Sequence, residues 1–337
     1  MFYHDCKGFT LEKDGVQVID NVIPNTKTLQ NLMWHYLGHL TKNTDYPIIK
    51  EDTNSYKTLF KFIPSHGYLL QHYDVGQNPM SWEIRQNDNV INEFKNLYHN
   101  KIRNGIQYTK DMQLLTSFDG IAISLPPEYT NRGYFRNGIQ HEWFHTDQSY
   151  NRSKCEIIQG EINLFDVNEG DSTLRFLRSS HKYHSDFKHE NDISKYKNGD
   201  WCKLEESDKE FYIDKLSNKY DNYDICVKTK AGSLVLWDSR TIHCGIEPQR
   251  NRKNINIRCC IYVCMTPKDW LINSKKTLKR RINVFEKHRT SNHYPNDRMK
   301  MFSEKQNTYN SKKIILPKVE NYPLIVTEKM KKLVGYD

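Results

Sequence analysis

His145 and Asp147 sit one residue apart in Trp143-Phe144-His145-Thr146-Asp147-Gln148. His243 lies far downstream, at the end of Gly232-Ser233-Leu234-Val235-Leu236-Trp237-Asp238-Ser239-Arg240-Thr241-Ile242-His243. Two imidazoles and one carboxylate are the make-up of a facial triad, which holds a divalent ion on one face and leaves the opposite positions open for a co-substrate and oxygen. In an extended strand residues i and i+2 point to the same side, so the H-x-D spacing lets both side chains reach one ion. Such donors suit Fe(II), Co(II), Ni(II) or Mn(II), and cellular availability favours iron. Leu234-Val235-Leu236-Trp237 reads as a buried strand entered by Ala231-Gly232, and a histidine just beyond it could sit at the mouth of a barrel. The plainer alternative is a structural histidine satisfied in the core, with the H-x-D in a surface turn.

A second motif overlaps the first. His141-Glu142-Trp143-Phe144-His145 matches H-E-x-x-H, the zinc metallopeptidase pattern, in which a helix turns both histidines to one face and the glutamate acts as base. The local sequence argues against that helix. Asn131 to Gly138 is loop-like, and Thr146 to Asn151 shows no apolar repeat at helical spacing. The longer form of the motif wants Gly at 148 and His at 151, where this chain has Gln148 and Asn151. Glu161, a conceivable third ligand, lies in a predicted strand. The peptidase stays as the alternative.

The elements that must position these residues follow from periodicity. Gly15 to Ile23 alternates like a strand, and Pro24-Asn25 opens a helix over about Thr26 to Leu40. Residues 41–80 read as irregular and polar, and a helix is expected from about Asn87 to His99. From Leu114 strands dominate to about Pro267, broken by a polar insertion at 182–224, a natural place for a lid. Within Ile157 to Phe165 the residues Gln159, Glu161 and Asn163 share one face of a strand. In a barrel holding a polar co-substrate that face could line the pocket; in an ordinary sandwich it faces water, which is the default expectation. Trp143 and Phe144 could wall the site, although core burial is the commoner fate. Leu271 to Phe285 reads as an amphipathic helix with Leu271, Leu278, Ile282 and Phe285 packed and its lysines solvated. The chain thus divides into 1–113, 114–270 with the insertion, and a basic, partly helical extension 271–337.

Three stretches resemble the phytanoyl-CoA dioxygenase family of Fe(II)- and 2-oxoglutarate-dependent oxygenases: Ser117 to Gln148, Gly170-Asp171-Ser172-Thr173-Leu174-Arg175-Phe176-Leu177-Arg178-Ser179-Ser180-His181, and Gly232 to Pro267. Weaker echoes lie at Trp82 to Gln86 and His288 to Pro295. The likeness is greatest to members from fungi, algae and large DNA viruses, so such a virus or its host is the implied source. The resemblance implies a mainly β fold with flanking helices, a double-stranded β-helix (jelly-roll, cupin-like) barrel. It implies that His145, Asp147 and His243 hold iron and that a downstream arginine grips the distal carboxylate of 2-oxoglutarate. Guanidinium makes a paired contact with a carboxylate that lysine cannot copy. Arg258, which opens the apolar strand Cys259 to Met265, is the expected residue; Arg252 is the alternative, and Arg250 a third arginine nearby. Gln159 and Asn163 are weaker candidates for co-substrate contact. The implied reaction hydroxylates a small or medium organic substrate, with release of succinate and CO2. A non-catalytic cupin-like binding protein is a further alternative. Family members commonly have Pro-Gly-Ser-His where this chain has Arg178-Ser179-Ser180-His181, and loss of the glycine predicts a differently shaped loop.

Composition is compatible with all of this. The 337 residues carry a net charge of +9, with 37% hydrophobic and 27% charged. Eight cysteines form no C-x-x-C pair, so reduced thiols are expected rather than a disulfide frame. Cys244, beside His243, is either an oxidation target or a small buried hydrophobe. No stretch is long and apolar enough to span a bilayer, and the first residues lack a signal-peptide layout, so a cytoplasmic location is the expectation. Basic residues crowd the carboxy-terminal part, including Lys275, Lys276, Lys279, Arg280 and Arg281. A solvated helix face is favoured over a nucleic-acid site, and a small molecule is the expected partner.

Overall fold

Short runs of β-branched and aromatic residues, separated by Gly-, Asn- and Asp-rich turns, place the strands in a computed structural model that describes residues 2–62, 69–130, 142–196, 199–250, 252–304 and 318–337. Before His145 come β1 (Phe2–His4), β2 (Val16–Ile19), β3 (Leu69–Leu70), a β4–β5 hairpin (Ile102–Arg103, Ile106–Gln107), β6 (Leu114–Thr116) and β7 (Ile121–Ser124). Then follow β8 (His145–Thr146), β9 (Ile158–Asn163), β10 (Thr173–Leu177), β11 (Cys202–Lys203) and β12 (Asp224–Val227). The last are β13 (Leu234–Asp238), β14 (His243–Ile246), β15 (Arg258–Val263) and β16 (Met265–Pro267). One six-stranded sheet has the order β1-β12-β10-β14-β8-β11, and a second has β2-β13-β9-β15-β7-β3. The first 113 residues therefore supply three strands of the two six-stranded sheets, β1, β2 and β3.

The sheets pack face to face. Leu174, Phe176, Ile225 and Val227 of the first meet Val16, Val235 and Trp237 of the second in one buried cluster. Outside the second sheet lie α1 (Lys27–Thr41) and α2 (Asp88–Tyr98), whose bounds match the expected helices to within one residue at each end. Leu29, Met33 and Leu37 of α1 share a core with Ile162, Leu236 and Ile261. Outside the first sheet, the 182–224 insertion contributes helices at His184–Glu190 and Glu206–Ser217, which bury Phe187, Tyr212 and Leu216 with Cys226, Cys244 and Ile246. Covering both outer faces leaves the central strands buried on both sides, and all six residues of β9 are buried. Gln159, Glu161 and Asn163 therefore do not face water, as the sandwich default had it; their face is turned into the protein. All eight cysteines are free thiols, and Cys244 is a core residue. Among the described residues no helix is long and apolar enough to cross a membrane.

Two expectations are corrected. The carboxy-terminal helix, Ser274–Glu286, buries Thr277, Arg281, Val284 and Phe285, while Leu278 and Ile282 are only partly covered and Leu271 precedes it. Arg281 is no solvated cation. Its guanidinium donates to the carbonyls of Thr116 (2.7 Å), Pro295 (2.7 Å), Val334 (2.8 Å) and Leu333 (2.9 Å). Leu333 and Val334 end the helix Glu328–Val334, so Arg281 satisfies carbonyls that have no partner within that helix. Helical-wheel logic counts every arginine as polar surface and misses this. The loop at Ser179 also keeps the left-handed turn without a glycine, at φ +63°. Ser179 Oγ donates to Lys13 O (2.7 Å) and accepts from Tyr220 Oη (2.9 Å), and its N–H donates to Asp14 O (2.8 Å); these bonds offset the backbone strain.

Arg281→Met should lower the unfolding free energy by about 3 kcal/mol or more, because several buried carbonyls lose their donor together. A urea titration showing a loss below about 1 kcal/mol would contradict the structural role given to this arginine.

Candidate metal centre

The site begins with one rung of a sheet. β8 pairs antiparallel with β14 so that His145 stands directly opposite His243, and the ring centroids are 4.4 Å apart. Each ring is oriented by a backbone carbonyl two residues upstream: His145 Nδ1 lies 3.0 Å from Trp143 O, and His243 Nδ1 lies 2.9 Å from Thr241 O. Donation from Nδ1 assigns the lone pair to Nε2 in both rings. Asp147, the first residue beyond β8, completes the group. Its Oδ1 is 3.7 Å from His145 Nε2 and its Oδ2 is 3.3 Å from His243 Nε2. One donor atom from each of the three lies within 4.8 Å of the other two, the one such cluster found among the described residues.

The motifs around these residues are the scaffolding. Between β13 and β14 the chain reverses through Asp238-Ser239-Arg240. Asp238 accepts from Arg240 N (2.9 Å), Nε (2.9 Å) and Nη2 (2.7 Å), so the turn is clamped by its own ion pair. Gln148 pins the loop after Asp147 to that turn. Its Oε1 accepts from Ser239 Oγ (2.8 Å) and Glu156 N (2.9 Å), while its Nε2 donates to Lys154 O (2.9 Å) and Arg152 O (2.5 Å). The Asp147 backbone is held at both ends, donating to Ser239 O (3.1 Å) and accepting from Tyr294 Oη (3.0 Å). Gln159 Nε2 reaches across from β9 to Asp147 Oδ2 (3.0 Å), tying the second sheet to the carboxylate.

Burial and then the neighbouring His243 push His145 down to about 4, so its imidazole is neutral at physiological pH and can offer a lone pair. Burial works to raise Asp147, but the imidazoles of His145 and His243 outweigh it and hold the carboxyl below the usual carboxylate range. A neutral imidazole and an ionised carboxylate are the protonation states a divalent ion requires of its ligands.

A cavity of about 470 Å³ opens beside the three groups, lined by residues of both sheets. Gln159 and Arg258 line it; Asn163 and Arg252 do not. Arg258 is buried, and its Nη2 donates to Glu161 Oε2 (3.0 Å) and Oε1 (3.3 Å). Asn163 Nδ2 donates to Glu161 Oε1 (3.2 Å). Arg252, the alternative carboxylate-binding residue, is held by Glu128 (2.8 Å) and Asp171 (3.1 Å), while Arg250 is exposed. Trp143 lines the cavity, and Phe144 belongs to the core. His141 lies outside the described residues. Residues 142–144 are not helical, His145 is in a strand, and Glu142 is paired with Arg175 (2.8 Å) and Lys209 (3.3 Å) rather than lining the cavity.

Sequence reasoning missed several lining residues. Asp119, whose carboxyl burial pushes up to about 7, Trp201 of the insertion, and His293 and Phe302 of the extension all reach the cavity. The His288 to Pro295 echo was the one signal for the extension; nothing local marks Trp201.

No family model matches the chain. Over 232 residues it is 25% identical to "Ava biosynthesis cluster protein O" of Aspergillus versicolor, a match covering 66% of this chain and 65% of that protein, just under two thirds of the relative's length. Among solved structures it is similar to a provisionally named oxidoreductase from Salmonella typhimurium LT2, with TM-score 0.57 and 12% identity over 96% of this chain and 81% of that one. It is also similar to the GlcNAc-inducible protein Gig2 of Candida albicans, with TM-score 0.51 and 15% identity over 82% of this chain and 66% of that one. At such identities the likeness is one of fold.

Because the unfolded chain protonates His145 and His184 near 6.5 and the folded chain only near about 4, protons favour unfolding across that window. Asp119, protonated near 7 in the folded chain, works the other way, but two rings outweigh one carboxyl, so metal-free protein should lose stability as pH falls from about 6.5 to about 4. Urea midpoints that stay flat over this range would contradict the burial of these rings.

Proposed function

We propose that this protein is an Fe(II)- and 2-oxoglutarate-dependent dioxygenase of the phytanoyl-CoA dioxygenase family that hydroxylates a small or medium organic substrate. In this reading the paired sheets are a jelly-roll of double-stranded β-helix type. Residues 114–270 form its catalytic core, with the insertion at 182–224, and the extension 271–337 braces the site through Tyr294. The observation that carries the reading is the convergence of His145, Asp147 and His243, with both histidine Nδ1 atoms already committed to backbone carbonyls. Two imidazole nitrogens and one carboxylate fit iron as a facial set.

His145, Asp147 and His243 would hold the ion, and Gln159 would fix the carboxylate's orientation through its bond to Oδ2. Arg258 would bind the distal carboxylate of 2-oxoglutarate; with five N–H donors in a fork it can keep Glu161 and still offer hydrogen bonds to a ligand. Bound iron and 2-oxoglutarate would supply the oxidising power, coupling reduction of O2 to release of succinate and CO2 and insertion of one oxygen atom into a substrate C–H bond. The chain's own part is to keep water from that chemistry with buried walls such as Trp237, and to orient what binds.

The peptidase reading lacks its helix, and its glutamate is already committed to Arg175 and Lys209. A non-catalytic binding protein would have no use for three preset ligand groups.

Two pairs of variants test the assignment. Asp147→Asn should abolish tight iron binding and 2-oxoglutarate turnover, since a neutral amide is a poor ligand for a hard cation, while Glu142→Gln keeps its metal. Zinc retained by Asp147→Asn, with peptide hydrolysis lost in Glu142→Gln, would favour the peptidase. Arg258→Lys should weaken 2-oxoglutarate binding by about 2–5 kcal/mol in calorimetry, and Arg252→Lys far less. An equal or larger effect at Arg252 would move the carboxylate-binding role away from Arg258.

A further inference from the structure

Trp143, Trp237, Tyr262 and Phe302 wall the cavity with aromatic rings, of which Trp143 and Trp237 are held in place. Trp143 lies parallel to the His145 ring, with centroids 4.8 Å apart and planes 16° apart, and its Nε1 is anchored on Gly245 O (2.8 Å). Trp237 is buried, with its ring 5.5 Å from that of His243 and 6.4 Å from that of Tyr262. Phe302 adds a further face.

Trp201 is different. It lines the same cavity, its ring 5.7 Å from His145, yet it is 52% exposed. Leaving a large indole half in water is unfavourable, and a surface tryptophan would ordinarily fold back onto the protein. Here the backbone on either side is tied down. Cys202 and Lys203 pair with Thr146 and His145 across β11 and β8, and the preceding Asp200 forms an ion pair with Arg152. The indole is thus presented beside the triad, one residue before the strand that neighbours the first ligand histidine. Apolar surface held open at the mouth of a mainly apolar cavity marks a place where a ligand covers it.

We propose that this cavity takes a flat, ring-bearing, largely apolar molecule, which Trp201 covers on one side while Trp143 and Tyr262 form the fixed wall. Rigid aromatic faces select planar rings because offset or edge-to-face contacts need a partner of matching shape, which a flexible alkyl chain does not provide. That the molecule is the substrate rests on the oxygenase reading; that it binds does not.

The test uses the full chain and two probes, 2-naphthol as a flat apolar ring with one hydroxyl, and methyl β-glucopyranoside as a polar ring that also stacks on tryptophan. Calorimetry and tryptophan fluorescence should show 2-naphthol binding and no measurable glucoside binding. Trp201→Ala should weaken 2-naphthol about tenfold, whereas Trp201→Phe should keep affinity within about threefold. Tighter binding of the glucoside, no binding of 2-naphthol, or unchanged affinity in Trp201→Ala would overturn the proposal. Metal and 2-oxoglutarate uptake measured on the same samples separates the two readings. Wild type that takes up neither, yet binds 2-naphthol through Trp201, defeats the oxygenase and leaves this inference standing. Normal uptake with binding indifferent to Trp201 does the reverse.

Discussion

The rung that sets His145 opposite His243 is the constraint on which the site depends. Two residues distant in sequence meet because β8 and β14 share a sheet, and both strands are short. Side chains alternate along a strand, so a slip of one residue would turn one imidazole to the other face and separate the pair. The register is protected on both flanks. β10 holds β14 through Phe176 opposite His243 and Arg175 opposite Cys244, and β11 holds β8 through Lys203 opposite His145. The clamped Asp238–Arg240 turn fixes where β14 begins, and Gln148 joins that turn to the loop carrying Asp147. Polar residues that look like surface in the sequence thus set the placement of all three groups.

The division of labour between the sheets follows from the same geometry. The first sheet carries the two histidines and leads into the aspartate, while the second brings Gln159, Arg258, Trp237 and Tyr262 to the same cavity. The Gln159–Asp147 bond is the direct tie between them. Ligand groups and the candidate carboxylate-binding arginine therefore sit on separate rigid frames, whose spacing is set by the packed core of Val16, Leu174, Phe176 and Val235. Preorganisation of this kind places reacting groups without reorganisation at the moment of reaction.

How much of this could be read from the sequence depends on the range of the interaction. Local signals were legible. The helices Lys27–Thr41 and Asp88–Tyr98 follow from apolar spacing, and β13 and β15 from continuous apolar runs. The three candidate ligands were legible as a donor set because their types are chemically distinctive. Long-range polar pairing was not. Arg281 looks like one more cation on a basic helix until the carbonyls of Leu333, Val334, Pro295 and Thr116 surround it. Ser179 breaks the glycine rule because its own hydroxyl and backbone bonds compensate for the left-handed turn. The inward face of β9 could not be chosen from alternation alone, since that choice depends on which helices cover the sheet. Trp201 and His293 arrive from an insertion and an extension, and only the fold brings them to the site.

The account stands on one claim, that His145, Asp147 and His243 hold iron with 2-oxoglutarate bound beside it. The most direct measurement is anaerobic addition of Fe(II) and then 2-oxoglutarate to the metal-free full chain, followed by visible absorption and calorimetry. Chelation of the metal by the keto acid should give a weak visible charge-transfer band that saturates with one 2-oxoglutarate per chain, a stoichiometry calorimetry should reproduce. No band together with no heat of 2-oxoglutarate binding, in protein that remains folded, would contradict the account.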